Sequence, residues 1–405
     1  MKVDIYNYPK RLDSAVKYVK NSSLSKRNKQ IILKFRDNCS LLGIGLPRTV
    51  RYIGVLKYLA ELLKKDFDKA NREDIMRVVG IINEHPKYSA WTKVTYKKIL
   101  KRFYKWLRDT DESPPEVKWI KADLKRCEKK LPGDGDLLTE QDVKKIIDTA
   151  NKPRDKAFVS LLYESGCRIG EIASIQIKDV KFDDYGATIN VQGKTGSRII
   201  RVISSVPYLA TWIQNHNLKH DKTAPLWICI GGKNGNNMMS YSNFRNLLQR
   251  LFDTAKIKKR FNPHIFRHSR ATFLANHLTE FQMNQYFGWV QGSDMPSTYV
   301  HMSGKRIEDS ILELHGLKKA SGKKQESLKP LVCPRCDTLN PNDNKFCKKC
   351  GGFLDLKAAM VIDRHMKKEK EDQEIFNGLI KEMLKDQKFK ESFMEKFQEI
   401  GLRNN

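Results

Sequence analysis

Between Tyr8 and Asp109 apolar residues recur every three or four positions. Ile31, Phe35, Cys39 and Leu42 fall on one helical face, as do Val50, Ile53 and Leu56, then Ile75, Val79 and Ile82, then Val94, Ile99, Phe103 and Trp106. This spacing predicts four helices. A further helix is expected behind Leu138-Thr-Glu-Gln-Asp, where Thr139 can cap it, Asp142 can return the bond, and Val143, Ile146 and Ile147 supply the apolar face. Another runs from Ala157 to Glu164 and is closed by Gly166. The period then changes. Gly186-Ala-Thr-Ile-Asn-Val-Gln and Arg198-Ile-Ile-Arg-Val-Ile read as two β-rich runs around a glycine-bounded turn, with Lys194 at its tip. From Pro263 the pattern is helical again, with Asn262 as cap and Pro263 suited to the first helical position.

Asp111-Glu-Ser-Pro-Pro-Glu and Leu131-Pro-Gly-Asp-Gly-Asp bracket a polar stretch that resists regular structure. The chain therefore divides into a helical unit over 1–112, a linker over 113–136, a second domain over 137–316, a second linker over 317–331, a small module over 332–353 and a helical tail over 354–405. The fold class expected is multidomain and mainly α: an all-α N-terminal domain, an α+β domain with a small β-hairpin, and C-terminal additions.

With 405 residues and a formal net charge of +29, the chain would repel itself unless an anionic partner commonly lies against it, and nucleic acid fits that need best. An AT-rich genome that inflates Lys, Asn and Ile together is the plainer explanation, but it would spread the charge diffusely. The predicted helix that ends at Trp106 concentrates it: Lys93, Lys97, Lys98, Lys101, Arg102, Lys105 and Arg108 lie around Tyr96, Tyr104 and Trp106. A solvated face is the plainer reading of such charges, but one sign of charge along a helix suits tracking of phosphates, so Lys93, Lys97, Lys101, Arg102 and Lys105 are expected at DNA. No apolar run is long enough for a membrane span, and the start lacks a secretory signal, so an intracellular, cytoplasmic protein is expected.

Several dispersed residues carry the chemistry: Arg168 in Gly-Cys-Arg-Ile-Gly-Glu, Lys194 in Gly-Lys-Thr-Gly, His264 and Arg267 in His-Ile-Phe-Arg-His, Trp289 in Phe-Gly-Trp, and Tyr299 in Ser-Thr-Tyr-Val-His. His264 and Arg267 share a helical face at a helix N-terminus, where one phosphate can meet both. Glu171 follows Arg168 at the next turn and can anchor it; a purely structural Arg–Glu pair is the alternative.

In this order the residues resemble the tyrosine recombinase (phage integrase) family. The likeness covers about Leu138 to His301 as its catalytic domain and about Leu24 to Asp109 as its helical core-binding domain. It implies Arg168 and Arg267 as the catalytic arginines, Lys194 as the hairpin lysine, His264 as the partner of Arg267, Trp289 at the His-or-Trp position, and Tyr299 as nucleophile. The spacing from Trp289 to Tyr299 is one residue longer than in common bacterial members, and Phe-Gly-Trp-Val-Gln-Gly-Ser-Asp-Met-Pro looks more like archaeal integrases. Tyr286, the nearest rival to Tyr299, is expected in the core.

The reaction the resemblance implies dictates roles. Planar bidentate donors stabilise charge spreading over nonbridging phosphate oxygens, which suits Arg168 and Arg267. Lys194 would protonate the leaving 5′ oxygen, His264 would help deprotonate Tyr299 or bind phosphate, and Trp289 would pack against the site. The covalent 3′-phosphotyrosine needs neither ATP nor a catalytic metal. Arg198 is expected at backbone phosphates, or as a solvated β residue. His268 and His301 are left out of the catalytic set.

Cys333-Pro-Arg-Cys336 and Cys347-Lys-Lys-Cys350-Gly-Gly have the spacing of a closed four-cysteine site, so a structural zinc ribbon is expected. Its lysines suit DNA, and protein contact fits equally. Ile307, Ile311 and Leu314 predict a short helix after Tyr299 that, by the resemblance, docks on a neighbouring protomer. Phe376, Ile380, Met383 and Leu384, then Phe389, Phe393, Phe397 and Ile400, give the tail an apolar side for self-association or for packing onto the ribbon. The expected partners are double-stranded DNA, a homotetramer on paired sites, and accessory proteins through ribbon or tail. A DNA-binding regulator on a retired scaffold and a DNA-relaxing topoisomerase stay open as other readings.

Overall fold

The computed structural model describes residues 4–124, 133–193, 196–232, 235–302, 328–333 and 336–352, with isolated positions elsewhere in the C-terminal part. It begins with five helices, α1 (Tyr8–Lys20), α2 (Lys26–Leu41), α3 (Leu46–Leu63), α4 (Arg72–Glu84) and α5 (Ala90–Leu107). Four match the apolar spacing. The extra one, α1, fully buries only Val19, with Leu12, Ala15 and Val16 half-covered against the same core, too thin a stripe to stand out among its lysines. Leu42 lies just past α2 and is exposed. Ile31, Phe35, Ile53, Leu56, Ile75, Ile82 and Phe103 form the shared core.

The stretch read as linker is partly built into this unit. A one-turn helix, α6 (Pro115–Lys118), starts on Pro115, and Val117 and Ile120 are buried in the first core. Two prolines suggest a break, yet proline at the first helical position costs nothing because that N–H has no partner anyway.

A second core gathers α7 (Glu140–Thr149), α8 (Pro153–Ser165), α9 (Ile169–Ala173), a three-stranded antiparallel sheet of β1 (Val180–Asp183), β2 (Gly186–Gly193) and β3 (Gly196–Val202), then α10 (Val206–Gln214), α11 (Tyr241–Thr254) and α12 (Pro263–Leu274). Among its described residues this unit is mainly helical, with one three-stranded sheet. The expected Thr139–Asp142 capping box starts α7, and Asn262 caps α12 with Pro263 at its first turn. In the sheet Ile189 pairs with Val180 and Ile200, so one face is buried and Asn190, Ile199 and Arg201 face out. The strand β1 and the helices α10 and α11 are additions to the elements expected from the apolar spacing.

Helix α8 is covered on all sides by α7, α10, α12 and β3, which is why its sequence shows no polar face. Its end determines the site that follows. Gly166 adopts φ 54°, and a Cβ there would lie 2.6 Å from the Phe287 ring, so only glycine lets the chain turn while α13 (Glu280–Phe287) packs close. Helix α14 (Met295–Met302) closes a third small cluster of Ala271, Met283, Phe287, Trp289 and Tyr299.

At its beginning the chain reaches across to the second unit. Ile5 is buried in the second core, its carbonyl accepts the Tyr241 N–H at 3.0 Å, and the Tyr6 ring packs against that of Tyr241. At the other end β4 (Leu331–Val332) pairs with β5 (Leu339–Asn340), and this module docks through Asp343, which accepts from Tyr208 at 3.2 Å and pairs with Lys156 at 3.6 Å. Among the described residues no helix is long and apolar enough to cross a membrane.

Candidate active site

The αL turn at Gly166 delivers Arg168 to the N-terminus of α9. Glu171, one turn on, accepts the Arg168 backbone N–H and its guanidinium, each at 2.9 Å. The same buried carboxylate accepts both terminal nitrogens of Arg198 from β3, at 2.9 and 3.2 Å. Burial alone would raise the Glu171 carboxyl, but the bond and charge of Arg198, then those of Arg168, outweigh it and hold it below the usual carboxylate range. Arg168 stays 31% exposed, so it is anchored on one side and open on the other.

Arg267 enters from α12 and is buried. It donates to Gly166 O at 2.9 Å and Phe287 O at 2.8 Å, and its guanidinium lies 5.0 Å from the Phe287 ring centroid and 5.3 Å from that of Trp289. Burial, followed by the nearby Arg168 charge, brings its pKa down to about 10. Two guanidinium groups thus share the Glu171 carboxylate while Arg267 beside them bonds backbone carbonyls, which leaves a net positive field among the described residues, suited to an anion. His264, one turn before Arg267, is exposed, and its pKa is lowered by desolvation and then by Arg267 and Arg168.

Tyr299 sits inside this field. Its ring is 1% exposed and stacks on Trp289 with centroids 5.4 Å apart and planes 3° from parallel. Its hydroxyl meets His268 Nδ1 at 2.8 Å. Burial pushes the phenol up to about 12 against the opposing pull of Arg267 and Arg168, while burial, then His264 and Arg267, push His268 down to about 4. Both are therefore neutral near pH 7, and in the tautomer that carries its proton on Nε2 the imidazole accepts the phenol hydrogen at Nδ1. His268 is the residue that sequence reasoning set aside; the signal for it was its place four residues after His264 on one helix face. Tyr286 is held elsewhere, donating its hydroxyl to Glu164 O at 3.2 Å.

Residues 136–306 match the sequence profile of the phage integrase family. This segment is similar to the tyrosine recombinases that make up that family. It is 29% identical over 202 residues to "Tyrosine recombinase XerD" of Staphylococcus epidermidis, a match covering 47% of this chain and 65% of that protein. It is 26% identical over 176 residues to "Tyrosine recombinase XerA" of Pyrococcus furiosus, covering 43% and 60%. The chain thus spans less than two thirds of the length of these relatives. Its fold is similar to that of XerH recombinase bound to palindromic difH substrate, with TM-score 0.53, 16% identity, and 78% and 98% of the two chains covered. It is likewise similar to a lambda integrase dimer bound to a core site, with TM-score 0.53, 15% identity, and 68% and 78% covered.

Of the integrase-like set, Arg168, His264, Arg267, Trp289 and Tyr299 converge, and Lys194 lies outside the described residues. Its chain neighbour Gly193 is against the cluster: a Cβ on Gly193 would lie 2.6 Å from Glu171 Oε1. The residues expected at DNA behave differently from one another. Arg198 is turned inward, bonded to Glu171 and to Tyr286 O at 2.7 Å, because the acid that attracts it comes from α9 rather than from its own sheet. On α5, Lys93 reaches Asn83 O, Lys101 reaches Ile120 O at 3.2 Å, and Arg102 lies over the Tyr52 ring. Lys97 is half-buried and Lys105 is exposed.

The four cysteines near the C-terminal end meet as the spacing requires. The sulfurs of Cys333, Cys336, Cys347 and Cys350 all lie within 4.8 Å of one another, and Cys347 Sγ accepts the Lys349 N–H at 3.4 Å. Four convergent thiols with a backbone donor on one sulfur fit a divalent ion of zinc type, held in a closed structural site. Ile307, Ile311 and Leu314 lie outside the described residues, as does most of the tail's apolar side; Phe376 and Met383 are exposed.

Proposed function

We propose that this chain is a site-specific DNA recombinase that cuts and rejoins duplex DNA through a covalent 3′-phosphotyrosine on Tyr299. The observation that carries the reading is a buried phenol stacked on Trp289 within the field of two arginines, of which Arg267 is bonded to backbone carbonyls rather than to an acid. Arg168 and Arg267 hold the phosphodiester and take up the charge that attack spreads over its oxygens, with His264 beside them. Lys194 is assigned the proton for the leaving 5′ oxygen from its place in the sequence, next to Gly193. Trp289 fixes the nucleophile's ring.

The chain is assigned to the archaeal type of integrase, with helical unit and catalytic domain clamping the duplex, strand exchange within a homotetramer, and integration or excision of a mobile element as outcome. Zinc in the four-cysteine module has a structural part, since so small a unit has no core of its own. Lys97, Arg102 and Lys105 are the α5 groups assigned to backbone phosphate. Covalently trapped DNA captured from cells and sequenced supplies the site. On a nicked duplex of that site, the protein is expected to give a denaturant-resistant adduct that disappears in Tyr299→Phe. An adduct that persists in that variant overturns the assignment.

A further inference from the structure

We propose that His268 is a catalytic residue of this reaction: its Nδ1 takes the phenol proton of Tyr299 as the phenolic oxygen attacks phosphorus. The inference rests on the recombinase reading and assigns a group that the reading leaves open. His268 touches the reacting atom itself, at 2.8 Å, whereas His264 lies one turn earlier on the same face of α12, exposed, beside the two arginines. The two histidines therefore divide the work, one facing the phosphate and the other the nucleophile. The groups that face His268 are His264 and Arg267 on its own helix and Tyr299 from α14, with Arg168 acting on both His264 and Tyr299.

Burial and those cations keep the imidazole neutral in the free protein, so its Nε2–H tautomer offers Nδ1 to the phenol as an acceptor. An anionic phosphodiester between Arg168 and Arg267 offsets part of that field and raises the basicity of the ring when it is needed. The step balances. The Oη–H bond breaks and its proton moves to Nδ1, giving imidazolium; an Oη lone pair forms the bond to phosphorus. The bond from phosphorus to the 5′ oxygen breaks with its electron pair, and that oxygen takes a proton from the acid assigned to Lys194. On rejoining, the 5′ hydroxyl attacks, the phenolate leaves, and the imidazolium returns its proton.

The test is single-turnover adduct formation by the full chain on nicked site DNA between about pH 5 and pH 9. His268→Asn keeps an acceptor near the Nδ1 position without basicity, and His268→Phe keeps the ring volume. Both are expected to bind DNA as the parent does, to form adduct about 100-fold more slowly, and to lose the acid limb of the parent's pH profile. Rates within about three-fold of the parent, or slow rates that retain that limb, overturn the inference. Where a variant is destabilised, His268→Gly decides: added imidazole is expected to restore its rate at least about ten-fold, and no recovery overturns the proposal. If the parent forms no adduct, the recombinase reading falls and this inference with it; a normal parental adduct with unaffected His268 variants removes only the inference.

Discussion

Trp289 and Tyr299 lie face to face, their ring planes 3° apart, so the orientation of the proposed nucleophile is set by a residue ten positions earlier in the chain. Trp289 in turn stacks on Phe287 and lies beneath Arg267. Trp289→Ala is expected to lower unfolding stability by about 3 kcal/mol, as for other buried aromatic truncations, and to slow adduct formation. Trp289→Phe is expected to cost less on both counts. Equilibrium denaturation alongside single-turnover cleavage checks this, and an unchanged rate in Trp289→Ala would separate the stack from the chemistry.

Arg267 makes two directed bonds that a lysine ammonium at the same place cannot reproduce together. Arg267→Lys should therefore lose on the order of 10² to 10³ in cleavage rate, close to the loss in Arg267→Ala. Binding to site DNA should fall much less than the rate. A lysine variant cleaving at the parental rate would show that charge alone suffices.

Gly166 joins a positive φ to a close approach by Phe287, and its carbonyl holds Arg267. Gly166→Ala is expected to destabilise the protein by more than about 1 kcal/mol, with cleavage falling because Arg267 moves with the turn. Thermal unfolding and the adduct assay together read both effects.

The pH dependence of stability has a definite sign. His268 titrates near 4 in the folded chain and near the ordinary histidine value of about 6.5 when unfolded. The unfolded chain binds the extra proton, so the stability this group contributes is complete above pH 6.5 and is lost as pH falls toward 4. Glu171, also depressed, adds a second loss at still lower pH. Denaturation midpoints from about pH 7 to pH 4 should decline, and the decline above about pH 5 should be shallower in His268→Asn.

Metal content is a separate prediction. One zinc per chain is expected by elemental analysis, lost in Cys336→Ser and on strong chelation. Because Asp343 ties the module to Tyr208 and Lys156, metal loss should also lower the melting temperature of the rest of the chain. An unchanged melting temperature would mean that the docking contributes no stability.

The local signals in the sequence are good guides where one turn of chain decides the outcome. The Thr139–Asp142 box, the Asn262 cap and the Arg168–Glu171 pair each join residues three apart, and each forms. Long-range choices are less legible. Strand alternation fixes which residues share a face with Arg198, but only the packing of α9 against β2 reveals that Glu171 waits there. His268 shares a helix face with His264, but which of the two histidines meets the phenol depends on how α14 crosses α12. Helix α1 is obscured because lysines surround its narrow apolar stripe.

Ile5 gives the first helical unit a second fastening. Besides the covalent connection that leaves it after Ile120, the unit is pinned at its start by one isoleucine seated in the neighbouring core and by one backbone bond to Tyr241. Any separation of the two units must therefore either unseat Ile5 and the neighbouring Tyr6 ring from the second core or pivot about them, which makes the chain's first few described residues a brace between the units.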